Sequence, residues 1–306
     1  MIFDGRAVVA NTGDDTLSFI DLTARKVFDV MDLGKKNSVR DDMGFIGPYD
    51  ILYGNDGYLY CTNVYDNSIF KIDLKNKQIE DLLYVGRFPT CIESYLDNII
   101  VLNSDSNSIS IIDKKTFALV EGITVGEKPV DMEVDREQIE LYIVNSNSRS
   151  ISIVDLIGSK RKLIRLEYSP IKIILEDEYI YILSIIDNGR DNMSNISIMD
   201  RRRYRIQESM DFDGIFNSML KINSGELVFI TGISDGYLYR MDMRKCSMLS
   251  KTYLEGMPNR LEWDGANILL ITNLSTDRLI LFDIVANKII DSIKVGKGPS
   301  GVLTFS

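Results

Sequence analysis

Seven times along the chain an alternating apolar run closes on an aspartate: Asp21, Asp73, Asp113, Asp155, Asp200, Asp242 and Asp283. The intervals between them are 52, 40, 42, 45, 42 and 41 residues. Self-similarity at a period of about forty residues restricts a chain to a few architectures, because each copy is one supersecondary unit that buries its apolar faces against its neighbours. Two further residues keep the same time. Proline recurs at Pro48, Pro89, Pro129, Pro170, Pro258 and Pro299, with Phe216 where one copy is missing. Asparagine stands ten residues before the aspartate at Asn11, Asn63, Asn103, Asn145 and Asn273; Gly232 replaces it in the sixth copy, and the fifth carries an insertion there.

Within each copy four short alternating stretches are separated by Asn, Asp and Gly. In the most regular copy they cover roughly 49–53, 58–63, 68–74 and 78–85. Period-two alternation broken by turn residues means strands joined by hairpins, and four such strands per repeat of about forty residues make a propeller blade. The chain is therefore expected to be all-β: one seven-bladed β-propeller domain over 1–306, with four antiparallel strands per blade. Blade 1 takes 300–306 plus 1–33, and blades 2 to 7 take 48–85, 89–125, 129–168, 170–212, 216–254 and 258–296. The phase of the ends predicts the closure. The first alternating stretch, 6–11, is a second strand, whereas the last, 301–305, is a first strand, so the C-terminal strand should complete the N-terminal blade in a 3+1 arrangement.

Stretches such as LYCTNVYDNSIFKIDLKNKQIEDLLYVGRFP (59–89) and LYIVNSNSRSISIVD (141–155) resemble the YVTN family of bacterial β-propeller repeats. That family repeats a Tyr-Val-Thr-Asn-like strand, an Asn/Ser-rich turn, a Val-Ile-Asp strand and a Val-Gly-x-x-Pro turn. The resemblance spans nearly the whole chain, with departures at Phe216, Gly232 and two insertions. It implies the propeller fold and no common chemistry. The repeated residues themselves have structural readings: Asp and Asn side chains cap turns, and Pro fixes φ where no ladder donor is needed.

Composition narrows function further. There is no histidine, which removes the usual general base, the usual metal ligand and every Ser-His or Cys-His nucleophile pair. A net charge of −10 argues against nucleic acid as a partner of the surface as a whole. Cys61, Cys91 and Cys246 are odd in number and scattered, which fits a reducing compartment. The sequence has no stretch long and apolar enough for a membrane span, nor a basic segment leading into an apolar one at its start, and the cytoplasm is the expected location.

Candidate functional positions are the places where the chain departs from its own repeat. The insertion at 34–47 carries Lys35, Lys36, Arg40 and Asp41, and the one at 184–194 carries Asp187 and Arg190. Blade-to-blade loops and second-to-third strand loops emerge on the same face of a propeller, so both insertions should rim one mouth of the channel, where binding usually resides. Counting two and four residues on from each proline selects the channel side of the inner strands. Those positions hold Asp50, Glu93, Asp131, Glu133 and Glu262, offset by Lys172 and Arg260. On the opposite rim, Lys160, Arg161 and Lys162 of blade 4 neighbour Arg201, Arg202 and Arg203 of blade 5, a basic patch suited to an anionic partner.

Two functional readings follow. In the first, the protein is a non-enzymatic binding or scaffold propeller that recognises a small ligand, peptide or partner protein at the insertion-bearing face and needs no cofactor. In the second, channel carboxylates hold Ca2+ in a lactonase-like hydrolase, since oxygen-ligated calcium needs no histidine. The simpler expectation for the channel charges is that they neutralise one another.

Overall fold

The computed structural model describes residues 5–34, 46–54, 56–158, 160–187, 189, 192–222 and 226–305. They form seven four-stranded antiparallel sheets, each running from an inner to an outer strand. The innermost strands are Pro299–Phe305, Pro48–Tyr53, Pro89–Tyr95, Pro129–Asp135, Ser169–Leu175, Phe216–Lys221 and Pro258–Trp263 for blades 1 to 7. Closure is as the phase of the ends predicts. Pro299–Phe305 pairs with Arg6–Asn11, with Val8 opposite Leu303 and Val9 opposite Val302.

No blade has a core of its own. The described residues contain seven apolar clusters, one at each blade–blade interface. Val8, Leu17 and Phe19 of blade 1 meet Leu59, Phe70 and Ile72 of blade 2, and Leu270, Leu279 and Leu281 of blade 7 return to Ala7, Val9 and Ile20 of blade 1. Each sheet is thus apolar on both faces, and the ring exists because each face finds a partner.

The repeated residues hold turns and staples. All seven aspartates accept backbone amides from the turn that follows them; Asp155, for example, accepts from Ile157 at 2.9 Å and Gly158 at 2.7 Å. The asparagine does more than cap a turn. The amide nitrogen of Asn103 donates to Ser108 and Ser110 across the hairpin, at 3.3 and 3.0 Å, and that of Asn11 reaches Thr16 and Ser18 in the same way. This fixed side chain also explains the glycine of the Val-Gly-x-x-Pro turn. A Cβ built on Gly126 would lie 2.5 Å from Cγ of Asn145, and one on Gly86 or Gly296 would lie 2.6 Å from Cγ of Asn103 or Asn11.

Every inner strand carries a register break just after its proline or Phe216, as between Pro129 and Asp131. The break is a β-bulge; in six strands it lies where proline has no amide to give the ladder, and in the seventh the Phe216 amide donates to the Ser194 hydroxyl at 2.8 Å instead. The bulge turns two consecutive side chains, the first and second after the proline, toward the channel mouth. A strict alternation count selects only the second. The third positions behave as the alternation requires: Ile92, Met132, Ile173 and Met219 are buried.

The insertion expected as a loop over 184–194 is mostly strand. The second and third strands of blade 5 run over Tyr179–Asp187 and Asn192–Asp200, nine residues each, and the outer strand lengthens with them to Arg205–Asp213. Hairpin pairing continues out to Asp187 opposite Asn192, which is cheaper than leaving those backbone groups unpaired.

Two outcomes test this architecture. Removing 299–306 strips the inner strand from blade 1 and exposes two interfaces, so the truncated protein is expected to melt at least about 10 °C lower or to aggregate; a melt matching the full chain contradicts closure by this strand. Gly126→Ala is expected to cost on the order of 1–3 kcal/mol by overpacking against Asn145. Adding Asn145→Ala should make the two changes less than additive in denaturant titrations, and strict additivity would show that the contact is not what excludes a side chain there.

Candidate functional site at the channel mouth

At the end of the propeller where the inner strands begin lies a cavity of about 290 Å3. The bulged pairs Tyr49-Asp50, Val130-Asp131, Ile171-Lys172, Asn217-Ser218, Asn259-Arg260 and Ser300-Gly301 line it. Ile185, from the lengthened hairpin of blade 5, and Ile233, from the corresponding hairpin of blade 6, rise above them as a wall with Ile215 and Phe216.

Four of the charged inner-strand residues come together in two pairs. The guanidinium of Arg260 donates through Nη2 to both carboxylate oxygens of Asp50, each at 3.2 Å, spanning from blade 7 to blade 2. Blade 1 lies between them and places Gly301 at the equivalent position, where a Cβ would come within 2.5 Å of the Tyr49 carbonyl oxygen. The ammonium of Lys172 sits 2.7 Å from Asp131 on the neighbouring blade.

The carboxylates are also tied to backbone. Asp50 accepts the amide of Ile92 at 3.2 Å, Asp131 that of Ile173 at 3.0 Å and Glu133 that of Leu175 at 2.9 Å, each bond running 42 residues onward into the next blade. Glu262 accepts from the Thr304 hydroxyl at 3.2 Å and more distantly from its amide. An inner strand has no ladder partner on its channel side, so these amides would otherwise lack an acceptor at a place where Asp50 and Asp131 are themselves buried. The carboxylates staple blade to blade. They do not converge: among the described residues no group of three or more Asp, Glu or Cys side chains could hold a metal ion.

Deeper in the channel the glutamates sit in a poor environment for charge. Burial, reinforced by Asp50, pushes Glu93 up to about 7 against the pull of Lys172 and Arg260. Burial likewise pushes Glu133 up to about 8, with Lys172 and the Leu175 amide opposing it. Glu262 is raised chiefly by burial too, while Thr304 holds it down. Burial and then Asp50 drive the Cys91 thiol well above its ordinary value, so at neutral pH it is protonated and a poor nucleophile. Burial works to lower Lys172, but Asp131 beside it leaves the net direction upward.

The other expected positions are placed as follows. Lys35, Lys36, Arg40, Asp41 and Arg190 lie outside the described residues. Asp187 ends the second strand of blade 5 and is exposed. On the far rim Lys160, Arg161, Lys162, Arg202 and Arg203 are exposed, with the Lys162 ammonium 3.5 Å from the centre of the Tyr204 ring. Arg201 is not part of that surface. It is buried, ion-paired with Asp135 of blade 4, and donates to the Glu176 carbonyl at 2.8 Å. A run of three arginines reads as one surface patch; the buried Asp135 carboxylate that claims the first of them lies in another blade, 66 residues back.

No protein-family model matches this sequence, and no curated protein matches it. Among solved structures, hydrazine synthase from Kuenenia stuttgartiensis superposes with a TM-score of 0.76 at 14% identity, over 87% of this chain and 92% of that one. A functionally unknown protein from Desulfotomaculum acetoxidans gives 0.74 at 10% identity, over 98% of both chains. AztD from Citrobacter koseri gives 0.66 at 11% identity, also over 98% of both. At these identities the likeness is one of fold, and it defines the chain as a seven-bladed β-propeller. Function has to be argued from the site.

The raised glutamates make stability pH-dependent. A carboxyl that titrates near 4.5 in the unfolded chain and near 8 in the fold gives its full contribution below 4.5 and loses it as pH rises through 8. Glu133→Gln keeps an acceptor for the Leu175 amide. It is expected to match the parent at about pH 5 and to be more stable by on the order of 1–2 kcal/mol at about pH 9. Denaturation curves that stay parallel to the parent across that range contradict this assignment.

Proposed function

We propose that this chain is a recognition propeller of the YVTN-repeat type, without catalytic chemistry of its own, that seats a small ligand, or a side chain of a peptide or partner protein, in the cavity at the insertion-bearing mouth. The observation that carries the reading is the division of labour within the bulged ring. Asp50 and Asp131 are committed to backbone amides and basic partners, the described residues hold no converging set of metal ligands, and the cavity above combines apolar walls with a few polar groups. Concave sites of that mixture, formed on a rigid scaffold, are where small molecules bind. The lengthened hairpin of blade 5 supports the same face, because it contributes Ile185 to the wall. Three free thiols support a reducing compartment, and we place the protein in the cytoplasm on that ground.

Blocking the mouth tests this reading. Ile233 is half-buried at the wall, and Ile233→Trp is expected to fill the cavity without disturbing an interface core. Ligand-observed NMR of a small-metabolite mixture should show binders that the parent protein retains and Ile233→Trp loses, and the bound compounds should be recovered chemically unchanged. Binders unaffected by the substitution would contradict the site, and conversion of a bound compound would contradict the absence of catalysis.

A further inference from the structure

We propose that the mouth cavity selects a small organic anion, a carboxylate with an apolar body, and holds it between Lys172 and Arg260 above Ser218. This deepens the reading of the mouth as a binding site and rests on it.

The sign of the accessible charge comes from the order of burial within each ion pair. Side chains of Asp50 and Asp131 retain only 6% and 3% of their exposure, whereas those of Arg260 and Lys172 retain 32% and 22%. The carboxylates lie beneath and the cations lie above. Both oxygens of Asp50 receive Arg260, and one of them also receives the Ile92 amide. Asp131 divides its two oxygens between Lys172 and the Ile173 amide. A cationic ligand entering the cavity would therefore meet ammonium and guanidinium groups before any free carboxylate.

The cations, by contrast, have donors to spare. A guanidinium carries five N–H bonds and an ammonium three. Arg260 uses Nη2 for Asp50, and Lys172 uses a single contact to Asp131, so each keeps N–H groups that no other described residue accepts. Around the ring of second positions the order is Gly301, Asp50, Cys91, Asp131, Lys172, Ser218 and Arg260. Lys172 and Arg260 thus flank Ser218, whose side chain makes no hydrogen bond with another described residue. Both cations lean away from Ser218 toward their carboxylates, which leaves the space over blade 6 open. The cavity is built largely from blade 6 there, through Ile215, Phe216, Asn217, Ser218 and Ile233.

The apolar wall defines the remainder of the ligand. Ile171, Ile185, Ile215 and Ile233 are partly exposed and offer surface for a hydrocarbon or aromatic body next to the anion position. A volume of about 290 Å3 is at the small end of ligand sites, which run from roughly 300 to 1,000 Å3. The net charge of −10 does not forbid an anion, since charges beyond a Debye length of about 8 Å are screened and the local donors decide.

The test uses a matched series: phenylpropionate, hexanoate and indoleacetate, each with its primary amide and the corresponding amine, titrated into the full chain by calorimetry or protein-observed NMR. The expected result is that carboxylates bind at least about tenfold more tightly than their amides, and that the amines bind weakest. Two charge-neutral double substitutions locate the site without stranding a buried charge: Lys172→Met with Asp131→Asn, and Arg260→Met with Asp50→Asn, each of which keeps a carbonyl for the Ile173 or Ile92 amide. Each should weaken the carboxylates about tenfold and change the amides by no more than about threefold. Amides or amines that bind as well as the carboxylates in the parent protein would overturn the anion assignment and leave the cavity reading standing. Absence of binding across all three series would overturn both.

Discussion

The inner edge of each blade is the constraint from which the rest of this molecule follows. A β-sheet ring leaves seven inner strands with a channel-side edge that has no ladder partner, and that edge needs other acceptors for its amides. Asp50, Asp131 and Glu133 answer this by reaching into the next blade for the amides of Ile92, Ile173 and Leu175. Once carboxylates occupy the channel, cations must accompany the most buried of them, and Arg260 and Lys172 do so from above. The electrostatics of the mouth are in that sense a by-product of stapling blades together, and the ligand preference proposed for it is a by-product of which partner in each pair is left uncovered.

Most of the fold was legible because the repeat is local. The aspartate, asparagine, proline and glycine of each copy satisfy turn amides, bridge hairpins and pack within a residue neighbourhood that the sequence displays directly, and the phase of the termini announced the closing strand. The site was less legible for a specific reason. Its deciding contacts run between blades, one repeat or 42 residues on in the staples and 210 residues apart for Arg260 and Asp50; the period gives the spacing of the blades but not which side chain reaches across them. Counting by twos from the proline selected Asp50, Asp131, Lys172 and Arg260, which line the cavity, and Glu93, Glu133 and Glu262, which do not; it passed over Tyr49, Asn217, Asn259 and Ser300, because the bulge presents two adjacent residues to the mouth. Proline at the head of six of the seven inner strands was the available sign of that bulge. Arg201 shows the opposite failure: composition made it surface, and a buried carboxylate in blade 4 made it structural.

The solved structures that superpose on this chain do so at 10–14% identity, so they speak to the fold and leave function to the site. Among the described residues, three departures from the repeat bear on the mouth: a hairpin lengthened at blade 5, a residue without a side chain at Gly301, and a serine where neighbouring blades carry cations. Each lies at the same mouth. Together they shape one open space over blade 6 on an otherwise self-satisfied ring.

Amide hydrogen exchange at Ile92, Ile173 and Leu175 addresses the stapling account most directly. If the carboxylates of the preceding blades hold these amides, all three should exchange only through near-global opening, as slowly as the ladder amides of the second strands and with the same dependence on denaturant. Exchange at the rate of exposed turns, with the ladder amides still protected, would mean that the channel edge is open to solvent, and the account of why these charges are where they are would fall.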